Sequence, residues 1–360
     1  MTEGRIPAAI LGAGGYIGQH FARLLADHPT FEPLVLGAGE RSGGRALEDL
    51  WQLTEAIPPD LARVRLSPAS PRSLAASGIR VAFSALPSGT AGPIESELAR
   101  RGISVFTNAA DHRMDPRVPL LVPEVNRDQL LLARRQPRRG GIVVANANCS
   151  TTGLVLALRP VWSRLAPRAV HASTYQALSG AGYPGVPSLT ITDNVVPFIR
   201  EEEEKVARES AKILGTVRGS RVRPDETPFL VHCARVATRE GHLEAVTVEA
   251  TRRPDRAELL RRWSTFDPLS AFALPTAPHP PVELRREVDR PQPLRDRWAG
   301  HPTRARGMAA VVGRVRWDPP FLRFYTLSHN AVRGGAGGSV LNAELALALG
   351  VLRPDGRRAP

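Results

Sequence analysis

The chain has 360 residues, 42% of them hydrophobic and 23% charged, and a formal net charge of +13. Its length exceeds what one hydrophobic core usually fills, so two domains are expected, and no apolar run approaches the ~20 residues that span a bilayer. The arginines behind the charge are scattered among acidic residues, and only Lys205 and Lys212 are lysines, which argues against a nucleic-acid or membrane partner and for anionic small-molecule substrates.

The N-terminus lacks the apolar core and cleavage site of a signal peptide, so a cytoplasmic location is expected. Residues 6–11 read as a short buried strand. They lead into Gly12-Ala13-Gly14-Gly15-Tyr16-Ile17-Gly18-Gln19 and then an amphipathic stretch over 21–27. Strand, glycine turn and helix open a dinucleotide-binding βαβ unit. Gly12 permits the tight turn, Gly15 the approach of a pyrophosphate, and Gly18 the close packing of helix on strand. The next strand, 33–36, ends in Gly37-Ala38-Gly39-Glu40-Arg41-Ser42. An acidic residue there would hold a ribose 2′-hydroxyl and an arginine a 2′-phosphate. Arg41 and Ser42 favour NADP; Glu40 is the counter-signal.

Residues 81–89 read as a strand that turns at Pro87 into a helix over 91–101, and 103–107 add a further strand. Repeated strand–helix alternation before residue 150 predicts an α/β arrangement, an open parallel sheet with helices on both faces. Ligands bind beyond the C-terminal ends of such strands, where Gly12, Ser84 and Cys149 would lie.

Cys149 follows the apolar run 142–145 within Asn146-Ala147-Asn148-Cys149-Ser150-Thr151-Thr152-Gly153. A thiol between a buried strand and a helix start stands where a nucleophile would. Unpaired N–H groups and the positive end of the helix dipole lower its pKa and cradle an oxyanion. Taken alone, the position equally suits a buried structural cysteine. With Cys233 the only other cysteine, there is no disulfide framework, and nothing has zinc-ligand spacing, so no metal is expected.

Past residue 150 the texture changes. Residues 169–177, 232–237, 243–250 and 309–317 read as longer strands of a second, mixed sheet, with proline-rich loops over 275–281 and 291–302. Residues 337–351 predict a helix, and 353–360 a frayed tail.

With Asn148-Cys149-Ser150-Thr151 behind the glycine fingerprint, the chain resembles the aspartate-β-semialdehyde dehydrogenase family, in its archaeal and fungal branch. The resemblance runs from Leu11-Gly12-Ala13 to Val340-Leu341-Asn342-Ala343-Glu344. Its independent motifs include Ser84-Ala85-Leu86-Pro87, Arg113-Met114, Val122-Pro123-Glu124-Val125-Asn126 and Gln176-Ala177-Leu178-Ser179-Gly180. Asp193-Asn194 then leads to Glu201-Glu202-Glu203-Glu204-Lys205, followed by Arg235-Val236-Ala237 with Gly241-His242, Asp289-Arg290-Pro291-Gln292-Pro293, and Asn330 with Arg333-Gly334.

The resemblance implies a Rossmann-type NADP-binding domain over 1–148, completed by a C-terminal segment 330–352, and an α+β catalytic and dimerisation domain over 149–329. It implies NADPH-dependent reductive dephosphorylation of L-4-aspartyl phosphate to L-aspartate 4-semialdehyde and phosphate, in aspartate-family amino-acid biosynthesis, by a homodimer or homotetramer. Cys149 matches the nucleophile, and its thioester would be reactive toward hydride. His242 matches the acid/base residue, with a pKa suited to taking the thiol proton and returning it to an alkoxide. Arg235 matches the residue gripping the α-carboxylate, Glu202 the position receiving the ammonium group, and Lys205 and Arg113 the phosphate contacts. Gln176 and Asn148 match groups orienting the acyl intermediate. Gly12 to Gly18, Arg41, Ser42, Ser84, Leu86, Pro87, Ser179, Gly180, Asn330 and Gly334 match cofactor-pocket positions.

Departures from the family pattern are Gly14 for threonine, Gly39 for serine, Ala147 for proline, and Ala110 with Asp111-His112 before Arg113. An inward Asp111 carboxylate would oppose phosphate binding by Arg113. A malonyl-coenzyme A reductase-like enzyme on the same scaffold is the nearest rival, and a non-catalytic cofactor-binding protein another. An N-acetyl-γ-glutamyl-phosphate reductase is disfavoured, because Arg235 with Glu202 suits a free amino acid.

Overall fold

The computed structural model describes residues 4–39, 42–137, 140–353 and 355–358. Seven strands form the first sheet: β1 (Ile6–Leu11), β2 (Phe31–Ala38), β3 (Ser67–Pro68), β4 (Val81–Ser84), β5 (Ser104–Thr107), β6 (Leu120–Leu121) and β7 (Val143–Asn146). All pairings are parallel and the order is β3-β2-β1-β4-β5-β7-β6. The strands read as near-continuous apolar runs because helices bury both faces. Strand order reverses between β1 and β4, which opens a crevice beyond their C-terminal ends. Helix Tyr16–Leu25 begins right after the glycine turn, five residues ahead of the amphipathic stretch recognised in the sequence, and packs Phe21 against Phe83.

A hairpin of β9 (Thr216–Arg218) and β10 (Arg221–Arg223) stands apart. The second sheet takes β8 (Pro167–Gln176), β11 (Phe229–Arg235), β12 (His242–Ala250), β13 (Val282–Leu284), β14 (Ala310–Asp318) and β15 (Phe321–Ser328) in the order β11-β8-β12-β15-β14-β13. It is mixed: β8–β11 and β13–β14 run parallel, the rest antiparallel. β15 and the short β13 were not among the expected strands. In β15 the inward Leu322, Phe324 and Thr326 alternate with Arg323 and Tyr325, and that alternation dilutes the apolar signal.

Helix Cys149–Leu165 packs on the second sheet, against β8, β12, β14 and β15. Leu154, Val155, Leu156, Ala157, Leu158 and Val161 are all fully buried along it, the mark of a helix covered all round. Register then places its neighbours: on the sheet face beneath the helix start, Arg235 pairs beside Gln176 and His242 beside Ser328. Among the described residues no helix is long and apolar enough to cross a membrane, and no cluster of His, Cys, Asp or Glu could hold a metal. Leu352 bridges to Arg358, whose guanidinium donates to the carbonyls of Gln136 and Arg134 at 2.9 and 2.6 Å.

Candidate active site

Asn148 caps the central helix: its Oδ1 accepts from the Ser150 and Thr151 amides at 2.9 and 3.1 Å. This fixes Cys149 as the first helical residue, and its Sγ lies 3.2 Å from His242 Nε2. On the other side of the imidazole, the Ala177 backbone N–H donates to Nδ1 at 3.0 Å. Gly334 must be a glycine for this packing, since a Cβ there would stand 2.6 Å from the Cys149 Cβ. Burial pushes the thiol up to about 12, with Glu202 adding to the rise and Arg113 and Arg235 opposing it. The helix start was expected to acidify the thiol; desolvation outweighs it.

Cys149 opens into a cleft of about 540 Å³ that gathers Arg113, Gln176, Glu202, Lys205 and Arg235 from separate elements. Arg235, at the end of β11, donates from Nη1 to the Ala177 carbonyl at 2.7 Å. Glu202 is 7% exposed, and its Oε1 accepts from Asn148 Nδ2 at 2.9 Å and Gln176 Nε2 at 3.1 Å, so both amides are held by the acid. Lys205 Nζ meets Glu201 at 3.2 Å, the residue that precedes helix Glu202–Leu214. Arg113 Nη1 donates to Glu209 Oε1 at 2.9 Å and Nη2 to the Asn108 carbonyl at 2.7 Å. Asp111 turns away from this cleft. Its carboxylate accepts from the Gly89 and Gly92 amides, three contacts of 3.1 Å around the start of helix Ala91–Arg100.

Two family models cover most of the chain: a semialdehyde dehydrogenase NAD-binding domain over residues 7–133 and a semialdehyde dehydrogenase dimerisation domain over 158–333. Aspartate-semialdehyde dehydrogenase from Archaeoglobus fulgidus is 42% identical over 95% of this chain and 98% of its own length. The chain belongs to the aspartate-semialdehyde dehydrogenase family. A malonyl CoA reductase (NADP) from Metallosphaera sedula is also related, at 36% identity over 96% of this chain and 98% of its own. Among solved structures, the Candida albicans aspartate-semialdehyde dehydrogenase with NADP superposes with a TM-score of 0.84 at 32% identity, over 96% and 99% of the two chains.

Of the residues matching the family's cofactor positions, Gly12 and Gly18 are packed tightly in the turn after β1. Gly12 has φ +74°, and a Cβ there would meet the Ala85 carbonyl oxygen at 2.8 Å; one on Gly18 would meet the Gly12 oxygen at 2.0 Å. Gly14 lies close beside Ser42, while Arg41 and Glu40 fall outside the described residues. Of the fingerprint, Ile17 lines the Cys149 cleft together with Leu86, Pro87, Ser179, Gly180, Asn330 and Gly334. Ser84 is fully buried at the end of β4, and its carbonyl accepts from the Asn108 amide at 3.0 Å. The Tyr16 hydroxyl is bonded to Glu240 and its ring is buried, so it is its backbone at the helix start that faces the crevice side of the glycine turn. Asn330 ties the two halves together, accepting from the Gly241 N–H at 2.9 Å and donating to Ser179 Oγ at 2.8 Å.

Three contributors were missed in the sequence. Glu209 accepts from the Asn148 amide at 2.7 Å as well as from Arg113; its spacing of two helical turns from Glu202 was the available signal. Lys212 binds the Arg113, Asp115 and Val118 carbonyls at 2.6, 2.9 and 3.0 Å and so fixes the Arg113 loop. The Ala177 amide carries no sequence signal, because its partner is set by the register of β8 and β12.

Proposed function

We propose that the chain catalyses NADPH-dependent reductive dephosphorylation of L-4-aspartyl phosphate to L-aspartate 4-semialdehyde, reversibly, through a thioacyl intermediate on Cys149. The observation that carries this reading is one cleft in which a thiol at a helix start faces His242, and which Arg113, Gln176, Glu202, Lys205 and Arg235 also line. The NADP-bound Candida albicans relative and the family membership support the activity and the cofactor.

The glycine loop fits a dinucleotide. Backbone atoms occupy the space a Cβ would need at Gly12 and Gly18, and the start of helix Tyr16–Leu25 offers N–H groups for a pyrophosphate. NADP supplies or accepts the hydride when bound. The remaining chemistry belongs to the chain. Arg235 grips the α-carboxylate and Glu202 the ammonium group, which orients the γ-carbon toward Sγ. Lys205 and Arg113 neutralise the phosphate, while Gln176 and the Cys149 amide face the acyl oxygen. His242 serves the sulfur and the oxygen beside it. Catalysis takes place in a homodimer or homotetramer on this reading, supported by the match to a dimerisation-domain model and by exposed Tyr175, Leu230 and Phe321 on strands of the second sheet. Native mass in solution tests that assembly.

The deciding experiment is the reverse reaction, NADPH formed from NADP and L-aspartate semialdehyde, with and without phosphate, in wild type and Cys149→Ala. Phosphate-dependent reduction lost in the variant is expected. Turnover that ignores phosphate and requires coenzyme A would replace this reading with a thioester reductase.

A further inference from the structure

We propose that Glu240 is a positioning residue for the cofactor: from the loop between β11 and β12 it holds, through the Tyr16 hydroxyl, the start of the helix that faces the dinucleotide. This role rests on the NADP reading of the glycine loop above.

Helix Tyr16–Leu25 has no side-chain cap. Gly15 stands at the N-cap position, and no acidic residue occupies the first turn. The first amides are thereby left for a pyrophosphate, but the helix start also forgoes the side-chain bond that usually fixes it. Gln19 steadies the turn only within its own half of the molecule, donating from Nε2 to the Gly14 and Leu50 carbonyls at 3.0 and 2.7 Å. The contact that reaches further is Tyr16, whose hydroxyl donates to Glu240 Oε1. Burial, then the bond to Glu240, push that hydroxyl up, so it keeps its proton and stays the donor.

Two faces of the helix are buried. Phe21, Ala22 and Leu25 pack into the core that also holds Phe83 of β4. Tyr16, His20 and Arg23 follow one another at i, i+4 and i+7 and form a separate stripe. His20 meets the ring of His329 with centroids 5.9 Å apart, and the Arg23 guanidinium lies 5.5 Å from the centre of the Trp298 ring. Glu240 sits at the head of this stripe.

The carboxylate is itself held. Glu240 is 2% exposed, with Arg297 Nε 3.6 Å and His329 Nε2 3.7 Å from Oε2, and His20 Nε2 3.9 Å from Oε1. Burial keeps both imidazoles neutral, with His20 lowered to about 3, so Arg297 is the cation that faces the acid. The next residue ties the loop to the cleft. Gly241 N–H donates to Asn330 Oδ1 at 2.9 Å and Asn330 Nδ2 to Ser179 Oγ at 2.8 Å, while Ile17, adjacent to Tyr16, lines the cleft with Asn330 and Ser179. Tyr16, Glu240, Gly241, Asn330 and the cleft wall thus close a ring of contacts back to the glycine loop. Opening it at the hydroxyl lets the helix start shift against the cleft, and the amides offered to the pyrophosphate lose their pre-set position.

The test is NADP affinity by isothermal titration of the full chain, in wild type, Tyr16→Phe, Glu240→Ala and the double variant, each with its melting temperature. Tyr16→Phe, which removes one oxygen atom, is expected to weaken NADP by about 5–10-fold and Glu240→Ala by about 10–30-fold. The double variant should lose no more than Glu240→Ala alone, because both changes break the same bond. A contact that only adds stability would lower the melting temperature and leave the affinity of the folded protein where it was. Affinity within about two-fold of wild type in Tyr16→Phe, or single losses that add in the double variant, overturns the role of Glu240. Should Glu240→Ala fail to fold, Tyr16→Phe decides alone. If wild type binds no NADP, the dinucleotide reading fails; binding that survives every variant sinks only the positioning role.

Discussion

Asn148 donates from Nδ2 to Glu202 Oε1 at 2.9 Å while its Oδ1 accepts from the Ser150 and Thr151 amides. One side chain thereby fixes both the start of the nucleophile's helix and the acid that faces the substrate's ammonium group. Asn148→Asp separates the two tasks, because aspartate caps a helix as well as asparagine but cannot donate to Glu202. The expected result is a melting temperature within a few degrees of wild type and kcat/KM down by about 10²-fold, the loss of a buried charge-assisted bond with a like charge added. Calorimetry and steady-state rates on the same preparation check it. A large fall in melting temperature would show that the cap itself had failed.

The buried thiol makes a second prediction. With Cys149 pushed up to about 12, the thiolate fraction of free enzyme keeps growing across the alkaline range. Iodoacetamide alkylation of Cys149 should therefore climb through pH 9 without levelling. A plateau below pH 7.5 would mean that the helix start dominates after all. Glu202 is the second contributor to the rise, so Glu202→Gln should alkylate faster than wild type at pH 8. The same change should raise KM for L-aspartate semialdehyde by about 10–100-fold, through loss of the ammonium partner.

The glycine loop is testable through binding alone. A Cβ on Gly18 would stand 2.0 Å from the Gly12 carbonyl oxygen and 2.6 Å from the Ala13 Cα, and backbone atoms cannot swing aside as a side-chain tip can. Gly18→Ala is expected to weaken NADP binding by more than about ten-fold by isothermal titration and to lower the melting temperature, since helix and strand must part. Unchanged affinity would place the dinucleotide elsewhere.

What was legible in the sequence follows from the range of each interaction. The glycine turn, the parallel strands and the Cys149 helix start are local patterns, and the structure places them as read. Glu202, Gln176 and Arg235 were identified by resemblance, and β11–β8 register supplies the physical reason that two of them adjoin. The contacts that decide their state are non-local. Asp111 stands two residues before Arg113, but its carboxylate accepts from the Gly89 and Gly92 amides. The Tyr16 hydroxyl is taken by Glu240, distant in sequence, a contact that the fingerprint could not show. The Ala177 amide is a backbone group that composition cannot mark.

Asp296 carries the last prediction. It is 2% exposed, and its carboxylate accepts from Arg285 Nε at 3.0 Å, Arg290 Nε at 2.7 Å and the Gln292 amide at 2.7 Å. Burial alone would raise its pKa, but Arg290, the Gln292 amide and Arg285 together hold it below the usual 3.8. A carboxyl whose pKa is lower folded than unfolded contributes stability above the unfolded value and loses it as pH falls through the folded one. The contribution is therefore complete at pH 7, starts to fall near pH 4 and is gone only below the lowered folded value. Asp296→Asn should cost about 2 kcal/mol at pH 7, because it leaves two half-buried guanidinium groups without their anion, and less at pH 3. Urea unfolding at the two pH values checks this, and equal losses would rule out the ionic account. The effect should reach the active site as well. The same loop brings Pro293 and Arg297 within 3.4 and 3.2 Å of where a Gly241 Cβ would stand, directly before His242. In Asp296→Asn, kcat should fall with little change in KM, since the histidine loses support while the residues that grip the substrate do not.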